Sequence, residues 1–285
     1  MRGAPWKYFR FEDKEIFIDV DGHIDFEDKI STPFPSPITH ATLCNNGLVA
    51  TWVDHELRLA RMALLPLDGE LSNGISKSEL RLSEKLIDVA GSSWSHALDA
   101  EPIALASNGE KIVFALYTRG VYCIDCDANE LWRIPLISGE ELAPGSHQVA
   151  AIVVSENTAT IWTRGGKFRE VSIESGEIIS ENQLDIECDI DGVYSSGERI
   201  LISSNDGWLW EFVNGEMTVA RKLRGTVQDA VYFQDEWRII SWREDIILSS
   251  IETYSRNELG VQIVIEDDKC LVLDNQGNKT LHMGE

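Results

Sequence analysis

Seven times along this chain of 285 residues, a short apolar run ends at a turn of Asp, Asn, Gly or Arg and continues as a second alternating run. A supersecondary unit repeated at roughly 20 to 50 residues is typical of solenoids, propellers and arrays, because one unit cannot bury its own apolar face. The recurrence therefore predicts a repeat architecture. Aligned on the turn, the copies read IFIDVDGHIDF from Ile16, VATWVDHELRL from Val49, VFALYTRGVYCI from Val113, ATIWTRGGKFREV from Ala159, LISSNDGWLWEF from Leu201, IISWREDIILSSI from Ile239 and LVLDNQGNKTLHM from Leu271.

The segment 101–136 contains one complete unit. Turns at 107–110, 118–120 and 127–129 separate four runs, at 102–106, 111–116, 121–126 and 130–136. Four short strands at regular spacing with turn signals between them predict a four-stranded antiparallel meander. The same order recurs over 149–184 and 190–223.

The flanking copies are less regular. The first and the last each supply three clear strands, and the fourth strand of the sixth copy must come from the polar stretch ETYSRNE. An insertion at about 66–99 interrupts the second copy. Its stretch SELRLSEKLIDV predicts an outer strand or a short helix, and its Trp94 is either an exposed anchor for a partner or folds back over the edge of the second blade.

One repeat carries a family resemblance. The run Gly120-Val121-Tyr122-Cys123-Ile124-Asp125, followed by Leu131-Trp132, resembles quinoprotein-type repeats. Over nearly its whole length the chain resembles β-propellers of the WD40-like and quinoprotein-like kind, although Gly-His occurs once and Trp-Asp never. The resemblance implies an all-β, seven-bladed β-propeller of four-stranded antiparallel blades, filling 1–285 as a single domain. Six blades are the alternative, since three strands at each end leave the closure open.

Charge and composition narrow the function classes. The formal net charge is -23, with 48 acidic against 25 basic residues. Because neutralising phosphates requires a Lys/Arg surface, we expect no nucleic-acid binding. No stretch has the roughly 20 apolar residues of a membrane span, and charges occupy the start where a secretory signal is apolar. We therefore expect a cytoplasmic protein that does not contact membranes; the sequence does not indicate an oligomeric state.

Aromatic and Arg residues recur where the second strand of a copy ends. In propellers of the resembled families these B–C turns lie on the same face as the D–A loops. Large aromatics and Arg dominate binding hot spots, so this face predicts a site for a protein partner. The alternative is that the tryptophans are wedged between adjacent blades. The candidate residues are Trp52, Tyr117, Arg119, Trp162, Arg164, Trp242 and Arg243.

We therefore expect a non-catalytic interaction scaffold, a subunit or adaptor, without cofactor. Gly-x-Ser-x-Gly, Gly-x-x-x-x-Gly-Lys-Ser/Thr and His-Glu-x-x-His are absent from the sequence. The alternative is a metal-dependent, lactonase-like hydrolase, in which carboxylates and imidazoles converge at the channel mouth to hold a divalent metal. Its candidate ligands lead into the innermost strands: His40, Glu101, His147, Glu187 and Asp229.

The five cysteines do not form a disulfide framework, because their number is odd and they are scattered through a large chain. Cys123 and Cys126 have the spacing of a zinc knuckle or redox pair. They lie in an apparent strand, where positions three apart point to opposite faces. We therefore expect buried thiols rather than a metal site.

Overall fold

The computed structural model describes residues 3–45, 47–83, 85, 87–137, 145–186, 189–250 and 252–284. They form seven antiparallel sheets, each made of strands that are consecutive in the chain. The first strands of successive sheets contact one another around a ring, and the last of these contacts the first. We call the sheets blades and label the strands of a blade A to D from the centre outward.

The first three blades have four strands each. Blade 1 contains β1 (Pro5–Phe11), β2 (Lys14–Asp19), β3 (Ile24–Phe26) and β4 (Lys29–Ser31). Blade 2 contains β5 (Ile38–Cys44), β6 (Gly47–Asp54), β7 (Leu59–Pro66) and β8 (Trp94–Leu98). Blade 3 contains β9 (Pro102–Ser107), β10 (Lys111–Leu116), β11 (Gly120–Asp125) and β12 (Glu130–Ile134).

Blades 4 to 6 are also four-stranded, whereas blade 7 has three strands. Blade 4 contains β13 (Val149–Val154), β14 (Thr158–Thr163), β15 (Lys167–Ser172) and β16 (Ile178–Gln183). Blade 5 contains β17 (Ile190–Ser196), β18 (Arg199–Ser204), β19 (Trp208–Val213) and β20 (Glu216–Lys222). Blade 6 contains β21 (Val227–Phe233), β22 (Glu236–Ser241), β23 (Glu244–Ile247) and β24 (Thr253–Ser255). Blade 7 contains β25 (Gly260–Glu266), β26 (Lys269–Asp274) and β27 (Lys279–Leu281).

The chain is a seven-bladed β-propeller. The predicted all-β architecture is confirmed, with seven blades rather than six. The expectation of three strands in the first copy was wrong, because β4 completes blade 1, and the stretch ETYSRNE does supply the outer strand β24. Within the described ranges, no helix combines the length and the apolar composition needed to cross a membrane.

The segment between β7 and β8 contains a short helix, α1 (Lys77–Leu82), one of the two structures predicted there. Ser76 caps its first turn, accepting a hydrogen bond from the Glu79 backbone N–H at 3.3 Å, and the Glu79 carboxylate accepts one from the Ser76 N–H at 2.7 Å. Such a capping box fixes where a helix begins. Leu80 is buried and anchors α1 in the core shared by blades 1 and 2.

Tryptophan side chains join neighbouring blades. The Trp94 indole N–H of blade 2 donates to the Cys126 carbonyl of blade 3 at 2.8 Å, so Trp94 packs against the sheets and is not a free anchor. Trp132 of blade 3 makes the same kind of bond to the Ile173 carbonyl at 2.8 Å. Each indole thus fills the gap between two sheets and satisfies its own donor there.

The innermost strand of every blade carries a β-bulge at the equivalent position, seen as a shift in its pairing with strand B. A bulge adds one unpaired residue and re-aims the side chains beside it. Here it sets which side chains face the mouth of the central channel. The bulge residues are Trp6, Thr39, Ile103, Ala150, Asp191, Gln228 and Val261.

Side chains, not a shared strand, close the ring between blades 7 and 1. The Tyr8 hydroxyl donates to Glu15 at 2.9 Å and approaches Glu266 at 3.0 Å. Lys279 of β27 pairs with both carboxylates and lies 4.2 Å from the centre of the Tyr8 ring. This cluster joins the first and last blades across the whole length of the sequence.

Candidate functional site

The B–C turns and the chain entering each blade lie on one face, as expected. Backbone hydrogen bonds of 2.8 to 3.2 Å connect the residue after strand B to the residue before or near the start of strand A. We call this surface the B–C face. It is defined by the pairs Val20–Ala4, Tyr117–Glu101, Arg164–Gln148, Asn205–Asp189 and Asn275–Leu259.

Two of the candidate tryptophans do not reach this face. Trp52 is 1% exposed and Trp162 is 2% exposed. Trp162 stacks on Phe168 with ring centres 4.2 Å apart, and Trp52 belongs to the core of blades 1 and 2. The alternative that strand-end tryptophans fill packing positions therefore holds for this pair, and a partner cannot touch their rings.

Tyr117 and Trp242, in contrast, are displayed on the B–C face, with 47% and 64% of their surface exposed. They follow Leu116 and Ser241, the last residues of strand B to pair with strand A. Trp242 has a backbone φ of 49°, in the left-handed region where a bulky residue is strained. Strain of this kind persists where surrounding structure imposes it, and it clusters at ligand-binding sites.

A cavity of about 340 Å³ lies beside Trp242, between blades 6 and 7. Gly225 and Gly260 form part of its wall, and the Gly260 N–H donates to the Trp242 carbonyl at 3.1 Å. A Cβ atom on Gly225 would lie 3.5 Å from the Trp242 Cβ, so the missing side chain there keeps that flank of Trp242 open, whereas a Cβ atom on Gly260 would meet Ile240 and Val272. Gln228 and Leu259 supply a polar and an apolar edge.

The three candidate arginines are available for binding. Arg119 and Arg243 are exposed and Arg164 is half-buried. Within the residues that the structure describes, their guanidinium groups make no ion pair or hydrogen bond. Arg224, on the same face, is already paired with Glu244 at 3.1 Å. Five free N–H donors on each unpaired guanidinium can therefore point at a partner.

The mouth of the central channel forms a second cavity, of about 490 Å³. Its lining includes Trp6, Lys7, His40 and Asp229. Burial raises the pKa of Asp229 above its ordinary value, while Lys7 and the backbone N–H of Ile263, bonded at 2.8 Å, oppose that rise. Burial lowers the pKa of His40, against a hydrogen bond involving the Ile103 backbone. Asp229 and His40 thus each form a hydrogen bond with the backbone of the adjacent blade.

Of the alternative metal ligands, the structure brings only His40 and Asp229 to one cavity. Glu101 and His147 are exposed on the loops before β9 and β13 and do not line it. Glu187 lies outside the described residues. The set of five is therefore not assembled into one site by the part of the chain that can be described.

One group that could hold a metal was missed by the sequence analysis. Asp19, Asp21 and His23 have potential ligand atoms within 4.8 Å of one another. The Asp19 carboxylate already accepts hydrogen bonds from the N–H groups of Gly3, Asp21 and His23, at 2.8 to 3.0 Å. These bonds fix the B–C turn of blade 1. The Asp-x-Asp-x-His spacing was the sequence signal.

Cys123 and Cys126 are buried free thiols. Burial raises the pKa of both to about 12, with Cys44 as a further cause at Cys126. The Cys126 thiol lies 3.3 Å from the Glu110 carbonyl. Since the thiolate is the metal ligand and nucleophile, these positions suit packing. Cys188 lies outside the described residues.

No protein-family model matches this sequence, and no curated protein matches it. The fold is similar to solved structures. The β-propeller domain of Cps50 (Swd1) from Myceliophteria thermophila is 13% identical with a TM-score of 0.69, covering 97% of this chain and 96% of that chain. BamB from Moraxella catarrhalis is 11% identical with a TM-score of 0.62, covering 95% and 94%. The computationally designed Ika8 protein is 12% identical with a TM-score of 0.60, covering 98% and 96%. These likenesses concern the fold alone.

Proposed function

We propose that this propeller is a non-catalytic scaffold that binds a protein partner through its B–C face, as a subunit or adaptor of a larger assembly. A net charge of -23 disfavours nucleic acid as the partner, because phosphates would be repelled. We place the protein in the cytoplasm, since buried unpaired thiols at Cys44, Cys123, Cys126 and Cys270 suit a reducing compartment.

Trp242 carries the proposal. It is 64% exposed, lies in the left-handed backbone region and borders an open cavity. Each feature costs stability or solubility in an isolated molecule. Tryptophan is, however, one of the residue types enriched at binding hot spots. Tyr117, Arg119, Arg164 and Arg243 lie on B–C turns of the same face and would supply further contacts.

The test compares capture of a partner by wild-type protein and by Trp242→Ala. Equal amounts of each are immobilised and incubated with native lysate, and retained proteins are identified by mass spectrometry. The retained partner is then purified and titrated. Loss of a hot-spot side chain costs at least about 2 kcal/mol, so we expect roughly 30-fold weaker binding by Trp242→Ala.

Met217→Ala is the matched control, because Met217 is 48% exposed but lies on the outer strand β20 of blade 5. It should bind the partner as the wild type does. Circular dichroism checks that both variants keep the fold. The proposal fails if no protein is retained specifically, or if Trp242→Ala binds the purified partner with unchanged affinity.

A further inference from the structure

The two cavities on the B–C face share one side chain. Gln228 lines both the cavity beside Trp242 and the channel mouth that contains Lys7. Gln228 is the bulge residue of β21. The bulge turns its side chain away from the sheet, and the residue is exposed. The surface therefore offers one groove running from Trp242, past Gln228, to Lys7.

Lys7, at its end of the groove, interacts electrostatically with Asp229 but makes no direct contact with a carboxylate in the described residues. It forms no ion pair within the described part of the chain. Asp229 lines the same cavity, but its Oδ2 is engaged by the Ile263 N–H at 2.8 Å. Burial also raises the pKa of Asp229, which weakens its carboxylate form. A ligand carboxylate next to Lys7 would supply the missing charge-assisted hydrogen bond.

Unpaired cations are unevenly distributed in this acidic protein. Carboxylates outnumber basic groups 48 to 25, and most described Lys and Arg side chains bind one, as Lys14 binds Glu27 at 3.0 Å. Four arginines on the B–C face have no such partner among the described residues. The mean field of the molecule is negative and repels an anionic group at long range, so such a group would be held by close contact with these local donors. They are Arg58, Arg119, Arg164 and Arg243.

We propose that the groove from Trp242 to Lys7 binds an extended, acidic segment of the protein partner. An apolar side chain of the segment packs against Trp242, and carboxylates reach Arg243 and Lys7. This inference rests on the proposed function and specifies the chemistry of the partner. Charge complementarity selects the occupant, since a basic segment would meet Lys7 and Arg243 as like charges.

The experiment selects peptides from a random library displayed on phage, using the full-length wild-type protein and the double variant Lys7→Glu/Arg243→Glu. The wild type should enrich peptides with several Asp or Glu residues around one large apolar residue. The charge-reversed variant should instead enrich Lys- and Arg-containing peptides. Neutral or basic peptides enriched by the wild type would overturn the inference.

The most enriched acidic peptide is then titrated by fluorescence anisotropy. We expect a roughly 2- to 5-fold loss of affinity for Lys7→Gln and for Arg243→Gln, as for single exposed ion pairs, and on the order of 10-fold for both together. Lys269→Gln is the control, because Lys269 is an exposed cation at the A–B turn of blade 7, on the opposite face. It should leave the affinity unchanged.

The outcomes separate the inference from the proposed function. Trp242→Ala could fail to bind the natural partner while Lys7→Gln/Arg243→Gln binds it as tightly as the wild type does. In that case the inference of an acidic segment is wrong and the proposed scaffold function stands. If Trp242→Ala leaves partner binding intact, both fail. Unfolding curves in urea for each variant establish that a loss of affinity reflects the groove and not the fold.

Discussion

The side-chain amide of Gln262 bonds both backbone groups of Tyr8, although the two residues are 254 positions apart. Its oxygen accepts the Tyr8 N–H at 2.8 Å and its nitrogen donates to the Tyr8 carbonyl at 3.0 Å. Asp229, at the equivalent position of blade 6, accepts the Ile263 N–H of blade 7 at 2.8 Å. The residue after the bulge thus ties one innermost strand to the next.

Replacing Gln262 should therefore weaken the closure of the ring. Gln262→Leu keeps the size of the side chain but leaves the N–H and carbonyl of Tyr8 without their partner. Each unsatisfied buried group costs about 1–3 kcal/mol, so we expect a loss of that order in the free energy of unfolding, measured in urea. Gln228→Leu is the matched change, since Gln228 is exposed and its side chain bonds only Thr226, at 3.3 Å, among the described residues. Equal stability of the two variants would contradict this role.

A buried ion pair holds the end of the chain against blade 6. The Arg256 guanidinium makes two bonds to the Asp245 carboxylate, which is 0% exposed and also accepts the Met283 N–H at 2.7 Å. Removing one partner of a buried pair leaves an uncompensated charge and costs about 3–5 kcal/mol. We expect Arg256→Ala to lower the free energy of unfolding by that order.

Arg243→Ala provides the comparison for Arg256→Ala, because Arg243 is exposed and unpaired among the described residues. Its loss should change the unfolding free energy by less than about 0.5 kcal/mol. If the denaturation curves of Arg256→Ala and Arg243→Ala coincide, the ion pair between Arg256 and Asp245 does not stabilise the fold.

The blades could be predicted from the sequence because their signals are local. Turns such as Asn108-Gly109 and Thr118-Arg119 recur between apolar runs, and both lie between strands in the structure. The strand β4 could not be predicted, since Lys29–Ser31 is too short to show a period of two. Its pairing with β3 depends on the blade already being formed.

The candidate site was only half predictable, because exposure depends on a one-residue difference in register. Trp52 pairs with Ile38 inside the sheet, whereas Trp242 follows Ser241, the last paired residue of its strand. Neighbouring residues of a strand face opposite sides of the sheet, and a bulge inserts one extra residue, which changes the side that the residues beside it face. Nothing local in the sequence marks the bulge, so the presence of Gln228 and Lys7 in one cavity became visible only in the structure.

Asp229 should make the stability of the protein depend on pH. Its folded-state pKa is raised, mainly by burial, so the folded protein keeps this proton to a higher pH than the unfolded chain, whose Asp pKa is about 3.9. The unfolded state then binds fewer protons in that window, and this contribution to stability falls as pH rises through it. Above its raised pKa, the charged Asp229 is a net cost to folding.

Asp229→Asn keeps an oxygen for the Ile263 N–H and removes the titration. We expect the stability difference, variant minus wild type, to grow as pH rises above the unfolded Asp pKa of about 3.9 and to level off once pH exceeds the raised pKa of the folded protein. Urea unfolding over a pH series measures it. Asp229→Ala should be less stable than Asp229→Asn at every pH, because the Ile263 N–H loses its acceptor. A difference that does not vary with pH would contradict the assignment.

At position 242, we expect the tryptophan that binds the partner to lower the stability of the fold. A residue with a side chain at φ 49° costs roughly 1–2 kcal/mol relative to glycine, which adopts left-handed angles freely. Trp242→Gly should therefore be at least as stable as wild type in urea, whereas Trp242→Ala keeps the strain and should be less stable than Trp242→Gly by about 1 kcal/mol. Both should lose partner binding equally, because both remove the indole ring that we propose as the contact with the partner. If Trp242→Gly unfolds more easily than Trp242→Ala, the backbone at this turn is not strained, and the argument from strain to binding fails with it.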